Sequence, residues 1–203
     1  MIQQVDAPRV VVLDPPGVAA AVVSCWSTAV VRDRQGQLGR GFLNLKRLLG
    51  HPLNFRLVVQ ELARSVPPGV AVAACDEGAW PLVGALVVEL GTPAVLVRRK
   101  PKEYFVAYGD DPALGDPRLA GERLEPGTRV HLIDDLLYSG VTLGSAASVL
   151  SLAGLVVREA SVIVGADRTE RVASMVRSAG LEQVTCLVLA PDLDLPTSGP
   201  RRD

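Results

Sequence analysis

The chain is 203 residues long, 48% hydrophobic and 4% aromatic, and its formal net charge is −1. This length predicts one domain, with a core built largely from Val, Leu and Ala. The near-neutral charge, without blocks of like charge, argues against a nucleic-acid binder, and no apolar stretch reaches the roughly 18 residues of a membrane span.

The first 50 residues are predicted to form an N-terminal extension and a small hood. Residues 1–17 contain three prolines and indicate an extension or an added edge strand. Residues 19–27 are apolar and fit either a strand or a buried helix, because their periodicity favours neither. Residues 33–40 are predicted to be a turn or an exposed loop.

Residues 51–190 alternate between strand and helix patterns and are predicted to form the core. Strands are predicted over 70–75, 93–97, 129–133, 160–164 and 184–189. Helices are predicted over 54–65, 80–90, 141–153 and 169–179, with Asn54 as the cap of the first. A long polar loop spans 100–121, where 104–108 could pair as a strand, and 191–203 form a loose tail. This alternation predicts a parallel α/β sheet within a single domain, 1–203.

The two histidines and three cysteines show no spacing typical of a metal site. His131 lies inside a predicted strand and His51 stands near a helix start, so both are interpreted as structural. Scattered cysteines favour a reduced, cytoplasmic compartment. No basic segment precedes a long apolar run at the start of the chain, so no signal peptide is predicted.

The segment 132–143, LIDDLLYSGVTL, carries the strongest functional signal. Asp134 and Asp135 end a buried strand, where ligands bind in open α/β sheets, and adjacent strand residues point to opposite faces. Gly140 permits positive φ at the start of the next helix, whose free N–H groups favour phosphate. A ligand with both a polyol and a phosphate, such as ribose 5-phosphate, fits this arrangement. The alternative is a strand, a polar turn and an ordinary capped helix.

This segment resembles the binding motif for 5-phosphoribosyl 1-diphosphate (PRPP) in type I phosphoribosyltransferases. The resemblance implies a parallel-sheet, Rossmann-like core with a small N-terminal hood and a long flexible loop. It assigns the ribose 2- and 3-hydroxyls to Asp134 and Asp135. It assigns the 5-phosphate to a loop of five residues: Tyr138, Ser139, Gly140, Val141 and Thr142. Tyr138 replaces a common Thr in this loop, and Val141 replaces a common Gly or Thr.

The basic stretch that follows the strand 93–97 resembles the flexible loop of orotate phosphoribosyltransferases. Arg98, Arg99, Lys102 and Tyr104 match that pattern in register and would bind pyrophosphate. By this resemblance, Lys102 stabilises charge on the leaving pyrophosphate together with Arg99. The alternative is a solvated basic turn, although a long loop in a compact domain is itself typical of a lid.

Three other stretches extend the resemblance. Glu77 and Gly78 lie where the family has a small pyrophosphate loop, in which backbone N–H groups or Mg²⁺ would carry the binding. Arg168 follows Asp167 as in the orotate enzymes, where the Arg contacts the base, although an Arg in a first helical turn is equally ordinary. Phe42 begins a stretch similar to one in their hood, but the Ser-Pro and Lys that often precede it are absent.

The resemblance implies transfer of ribose 5-phosphate from PRPP to orotate in pyrimidine nucleotide synthesis, with release of pyrophosphate. Catalysis is assigned to Lys102, Arg99 and Asp135. Mg²⁺ would be carried by PRPP, with Asp134 as the one candidate side chain. A cytoplasmic homodimer without nucleic-acid or membrane partners is expected. Two alternatives are a transferase for another heterocycle in a specialised pathway and a non-catalytic PRPP or nucleotide sensor.

Overall fold

The computed structural model describes residues 9–32, 38–98, 119–138, 140–165, 176–178 and 180–190, with backbone only for 28–32 and 38–42. Nine strands are seen in these ranges: β1 (Arg9–Val12), β2 (Trp26–Arg32), β3 (Leu38–Leu43), β4 (Ala71–Ala74), β5 (Ala94–Val97), β6 (Leu119–Gly121), β7 (Arg129–Leu137), β8 (Val156–Gly165) and β9 (Gln183–Leu189). Five helices accompany them: α1 (Val18–Val23), α2 (Leu45–Leu49), α3 (Pro52–Ser65), α4 (Trp80–Leu90) and α5 (Val141–Leu152).

Seven strands form one sheet in the order β1-β9-β8-β7-β4-β5-β6, and β2 pairs with β3 in a separate antiparallel ribbon. All neighbours in the large sheet are parallel except β5 and β6. The central strands read as continuous Val- and Ala-rich runs because helices cover both faces of the sheet. The predicted parallel α/β fold is confirmed.

Two apolar clusters lie on the two faces of this sheet. On one face, α1 to α4 pack around β-strand residues such as Val72, Ile133 and Ile163. On the other, α5 packs on Leu132, Ala160 and neighbouring residues. Consecutive residues of β7 therefore face opposite layers. The site residues lie at the carboxyl end of this strand.

The N-terminal region resolves two open questions and corrects one prediction. Residues 9–12 form the added edge strand, with Arg9 opposite Gln183 in β9. The ambiguous stretch 19–27 is mostly helix α1, and β2 begins at Trp26. The loop predicted over 33–40 is wrong at its end, because Leu38–Leu43 pairs antiparallel with β2.

Helix α3 begins two residues earlier than its predicted cap, Asn54. Pro52 occupies the first turn, where its missing N–H costs nothing. His51 is the N-cap instead, and its Nδ1 accepts the backbone N–H of Asn54 at 3.4 Å. An imidazole in this role lies outside the usual cap set of Ser, Thr, Asp and Asn, which explains the misplaced start.

Strands β7 and β8 extend beyond their predicted bounds of 129–133 and 160–164, and β6 forms where a loop was predicted. β7 continues through Asp134 and Asp135 to Leu137, because Leu137 still pairs with Gly165 of β8. The end of the predicted polar loop is β6, whose Leu119 pairs with Val97 of β5. In both cases neighbouring strands supply pairing that local polarity conceals. The strand suggested at 104–108 lies outside the described residues, as does most of the helix suggested at 169–179.

Candidate active site

Asp134 and Asp135 occupy the carboxyl-terminal part of β7. Asp134 follows Leu132 on the α5 side and is only 4% exposed. Its Oδ1 accepts the backbone N–H of Asp135 at 2.9 Å. Asp135 is half-buried and turns toward the segment that follows β4. The structure therefore presents two acidic groups at different depths.

Burial and mutual repulsion disfavour the charged form of both carboxyl groups. The pKa of Asp134 rises from 3.8 to about 8, first because of burial and next because of the charge of Asp135. The pKa of Asp135 is also raised, by burial and then by the charge of Asp76. Burial beside these carboxylates also raises the pKa of Cys75 well above its usual range. A cluster of this kind favours a cation or hydroxyl donors as its ligand.

The turn at 76–79 forms the second wall of the site. Asp76 caps a short 3₁₀ helix, Glu77–Ala79, and its Oδ1 accepts the backbone N–H of Gly78 at 2.7 Å. A Cβ on Gly78 would lie 3.0 Å from Asp76 Oδ1 and 4.0 Å from Asp135 Oδ2. The turn is thus in direct reach of Asp135. Glu77 is exposed.

Asp76 is a site residue that the sequence reasoning did not single out. The sequence predicts that backbone N–H groups of this turn bind pyrophosphate. In the structure, the Gly78 N–H already donates a hydrogen bond to the Asp76 carboxylate. The Asp76 carboxylate oxygen thus occupies the position on the Gly78 N–H that a phosphate oxygen would take. The signal in the sequence was the Asp-x-Gly spacing after a buried strand, typical of an Asx-turn.

The predicted phosphate loop leads into the N-terminus of α5. Gly140 has φ +72°, the left-handed conformation expected of it, and its carbonyl accepts the N–H of Gly144 at 2.8 Å. The first N–H groups of a helix lack partners within the helix and face the preceding loop. Tyr138 and Val141 are 77% and 66% exposed, so neither substituted side chain is buried beneath the loop. Thr142 is half-buried.

The third wall begins at the end of β5 with Arg98, a buried cation that is 7% exposed. Its guanidinium carbon lies 5.3 Å from the centroid of the Trp80 ring. Trp80, at the start of α4, also donates its Nε1–H to the carbonyl of Val97 at 3.3 Å. The sequence reasoning placed Arg98 here but missed Trp80, whose signal was an aromatic residue between the 76–79 turn and Pro81.

The structure therefore brings together the carboxyl ends of β7, β4 and β5. Five predicted site residues lie outside the described ranges: Arg99, Lys102, Tyr104, Ser139 and Arg168. For Phe42, only the backbone, in β3, is described. Within the described ranges, no group of three or more His, Cys, Asp or Glu side chains is arranged to hold a metal ion. Nor does any helix there combine the length and apolarity needed to cross a membrane.

Comparisons with known proteins agree with this geometry. The chain is 30% identical over 152 residues to an orotate phosphoribosyltransferase of Methanopyrus kandleri, covering 75% of each chain. It is 34% identical over 135 residues to an adenine phosphoribosyltransferase of Chlorobium limicola, covering 61% of this chain and 74% of the relative. No protein-family model matches.

The fold is also found in a solved structure, the Mycobacterium tuberculosis orotate phosphoribosyltransferase in complex with PRPP. The two structures superpose with a TM-score of 0.65 at 20% identity, over 88% of this chain and 97% of the other. The chain belongs to the type I phosphoribosyltransferases, which are pentosyltransferases.

Proposed function

We propose that this phosphoribosyltransferase moves ribose 5-phosphate from PRPP to orotate, giving orotidine 5'-phosphate and pyrophosphate in pyrimidine nucleotide synthesis. The observation that carries the proposal is the placement of Asp134 and Asp135 on β7, directly before Gly140 and the N-terminus of α5. Two carboxyl groups that can accept hydroxyl protons and a helix start that favours anions on one continuous stretch of chain support this proposal.

Asp134 and Asp135 bind the ribose in this proposal. Ionised carboxylates accept hydrogen bonds from the 2- and 3-hydroxyls, and their negative charge stabilises the positive charge that develops on the ribose ring. The loop of Tyr138, Ser139, Gly140, Val141 and Thr142 binds the 5-phosphate through backbone amides. No covalent intermediate on the protein is required, because positioning and charge stabilisation lower the barrier.

The pyrophosphate leaves as the bond from C1 of the ribose to its oxygen breaks and a bond from C1 to the base nitrogen forms. Arg98, Arg99, Lys102 and Tyr104 would bind the anionic leaving group, with Glu77 and Gly78 beside it. Mg²⁺ carried by PRPP would neutralise charge on the pyrophosphate, with Asp134 as the candidate side chain beside it. The raised pKa of Asp134 fits a site completed by a cation or by hydroxyl donors.

Orotate is favoured over adenine by the basic pattern from Arg98 to Tyr104 and by the relative matched over 152 residues. Arg168 and Phe42 are the residues assigned to base binding. The adenine relative makes adenine the second candidate base. The proposal also includes a cytoplasmic homodimer, which light scattering on the eluted protein would test.

The deciding experiment supplies purified protein with PRPP and Mg²⁺, and either orotate or adenine in separate reactions. Loss of the base and release of pyrophosphate are followed together. Turnover with orotate supports the proposal, and turnover with adenine alone overturns the choice of base. The double variant Asp134→Asn with Asp135→Asn should abolish PRPP binding, whereas Glu89→Gln removes an exposed carboxylate of α4 and should leave binding unchanged.

A further inference from the structure

Trp80 makes two contacts with consecutive residues at the end of β5. Its indole N–H binds the Val97 carbonyl at 3.3 Å, and its ring faces the Arg98 guanidinium at 5.3 Å. Trp80 itself belongs to the first turn of α4, immediately after the 76–79 turn. One side chain thus connects the end of β5 to the turn that follows β4.

The position of Trp80 and Arg98 in the sheet relates their contact to the candidate active site. Ala74 pairs with Ile133 on one side and with Leu96 on the other, so these three residues lie in one row across the sheet. Asp134 follows this row by one residue on β7, and Arg98 follows it by two residues after Leu96 of β5. Two strand spacings separate them, roughly 10 Å, so a cation and an acidic pair border the Asp76 turn from opposite sides.

We propose that Trp80 is a positioning residue, which holds Arg98 at the pyrophosphate end of the site before PRPP arrives. The indole N–H bond fixes the backbone at Val97, and the ring fixes the guanidinium of the next residue. This inference rests on the proposed PRPP chemistry and adds to it a residue outside the motif. Trp80 acts through Arg98 and need not touch the substrate.

The chemistry suits an arginine that must be ordered without losing its charge. An aromatic face attracts a guanidinium through its quadrupole and leaves its positive charge intact. Ordering a long side chain in advance removes part of the entropy cost of binding.

The test is a double-mutant cycle on PRPP binding, measured by calorimetry with Mg²⁺ on the full chain. Trp80→Leu should raise the Kd for PRPP about ten-fold, within the range of a partly buried cation–π contact. Trp80→Phe keeps a ring face and should restore the Kd to within about three-fold of the wild type. Val88→Ser, at an exposed position of the same helix, is the matched control and should leave the Kd unchanged.

The cycle with Arg98→Met distinguishes positioning from a general packing role. In the Arg98→Met background, Trp80→Leu should cause no further loss, because the group it positions is absent. Additive losses, or an unchanged Kd in Trp80→Leu, would overturn the inference. If Trp80→Leu does not fold, Trp80→Met provides the same comparison with an unbranched apolar side chain. In steady-state assays, KM for PRPP should rise more than KM for the base.

The two proposals fail in different ways. A wild-type protein that binds PRPP but does not use orotate refutes the choice of base, and the binding cycle still decides the role of Trp80. A wild-type protein that does not bind PRPP refutes both. Turnover with orotate together with additive losses refutes only the positioning role.

Discussion

Asp134 and Asp135 are joined by a hydrogen bond between neighbours, in which the buried carboxylate accepts the backbone N–H of the more exposed residue. This bond favours the ionised form of Asp134, but burial and the second carboxylate outweigh it, and the pKa rises to about 8. By itself, the site therefore disfavours ionisation of its two carboxyl groups. A substrate that donates hydroxyl protons and brings a cation reverses that balance.

If the ionised carboxylates accept the ribose hydroxyls as proposed, PRPP affinity should rise with pH across the range around 8. Calorimetric titrations in buffers from about pH 6 to 9 would measure this. Binding should also release protons, which appears as a buffer-dependent enthalpy. An affinity that is flat over this range, with no proton release, would contradict the ribose assignment.

Asp134→Asn should stabilise the ligand-free protein at alkaline pH while removing PRPP binding. A carboxyl group with a raised folded-state pKa contributes stability below its unfolded pKa of 3.8, and this contribution is lost as pH rises toward 8. The amide does not ionise, so a gain of about 2 kcal/mol is expected above pH 8. Thermal unfolding of both proteins at pH 5 and pH 9 would show it. If the two proteins differed in Tm by the same amount at both pH values, ionisation of Asp134 would not be the cause.

Asp76→Asn should lower the pKa of Asp135, since the charge of Asp76 is the largest cause of its shift after burial. The amide oxygen can still accept the Gly78 N–H, which preserves the turn. The pH profile of PRPP binding should therefore move to lower pH with little loss of stability. Carboxyl resonances followed by NMR titration give the direct measurement, with Glu89→Gln as the control for removal of one negative charge.

His131 is not among the proposed site residues, but it should make the free energy of unfolding depend on pH in the acid range. Its Nε2 lies 2.8 Å from Ser161 Oγ, which also accepts the hydroxyl proton of Ser65 at 2.8 Å. Burial, and then the charge of Arg129, lowers its pKa from 6.5 to about 4. The unfolded chain binds the proton more readily, so stability present above pH 6.5 is lost as pH falls toward 4, by about 3 kcal/mol at most.

The measurement is the Tm as a function of pH for the wild type and for His131→Gln. The wild type should lose stability between pH 6.5 and 4, and the variant, although less stable overall, should lose less in that window. Equal losses in the two proteins would assign the acid sensitivity to other groups.

Gly140→Ala and Gly84→Ala are the same substitution, but we expect the first to destabilise the fold and the second to stabilise it. Gly140 has φ +72°, where a Cβ costs about 1 kcal/mol or more and disturbs the phosphate loop. Gly84 lies inside α4 with no atom within 4 Å of the added Cβ, so Ala should stabilise by about 0.5–1 kcal/mol. Denaturant unfolding and PRPP binding of the two variants would test both. A stabilised Gly140→Ala protein would contradict the conformational argument.

The features that local sequence determines were predictable here. Helix α4 begins at Trp80 and ends at Gly91 as predicted, because Pro81 and a left-handed glycine mark its ends. The position of the Asp134–Asp135 pair near the end of a buried strand was also predictable from local sequence. The pairing of β6 with β5 could not, since it joins residues across the long loop. The cluster of Asp76 with Asp135 and the contact of Trp80 with Arg98 also depend on neighbouring strands, which no local pattern records.

The pairing of Val97 with Leu119 has a further consequence for how this enzyme can diversify. The chain leaves the sheet at one residue and returns at its cross-strand partner, so the closure of the intervening segment is already fixed by the sheet. At Gly121, two residues after the return point, an added Cβ would lie 2.6 Å from the carbonyl oxygen of Ala94, so this position does not tolerate a side chain. Val97 and Leu119 are therefore the two fixed points between which the intervening sequence can be exchanged. Grafting the corresponding segment of a relative at these two points should alter substrate choice without rebuilding the core.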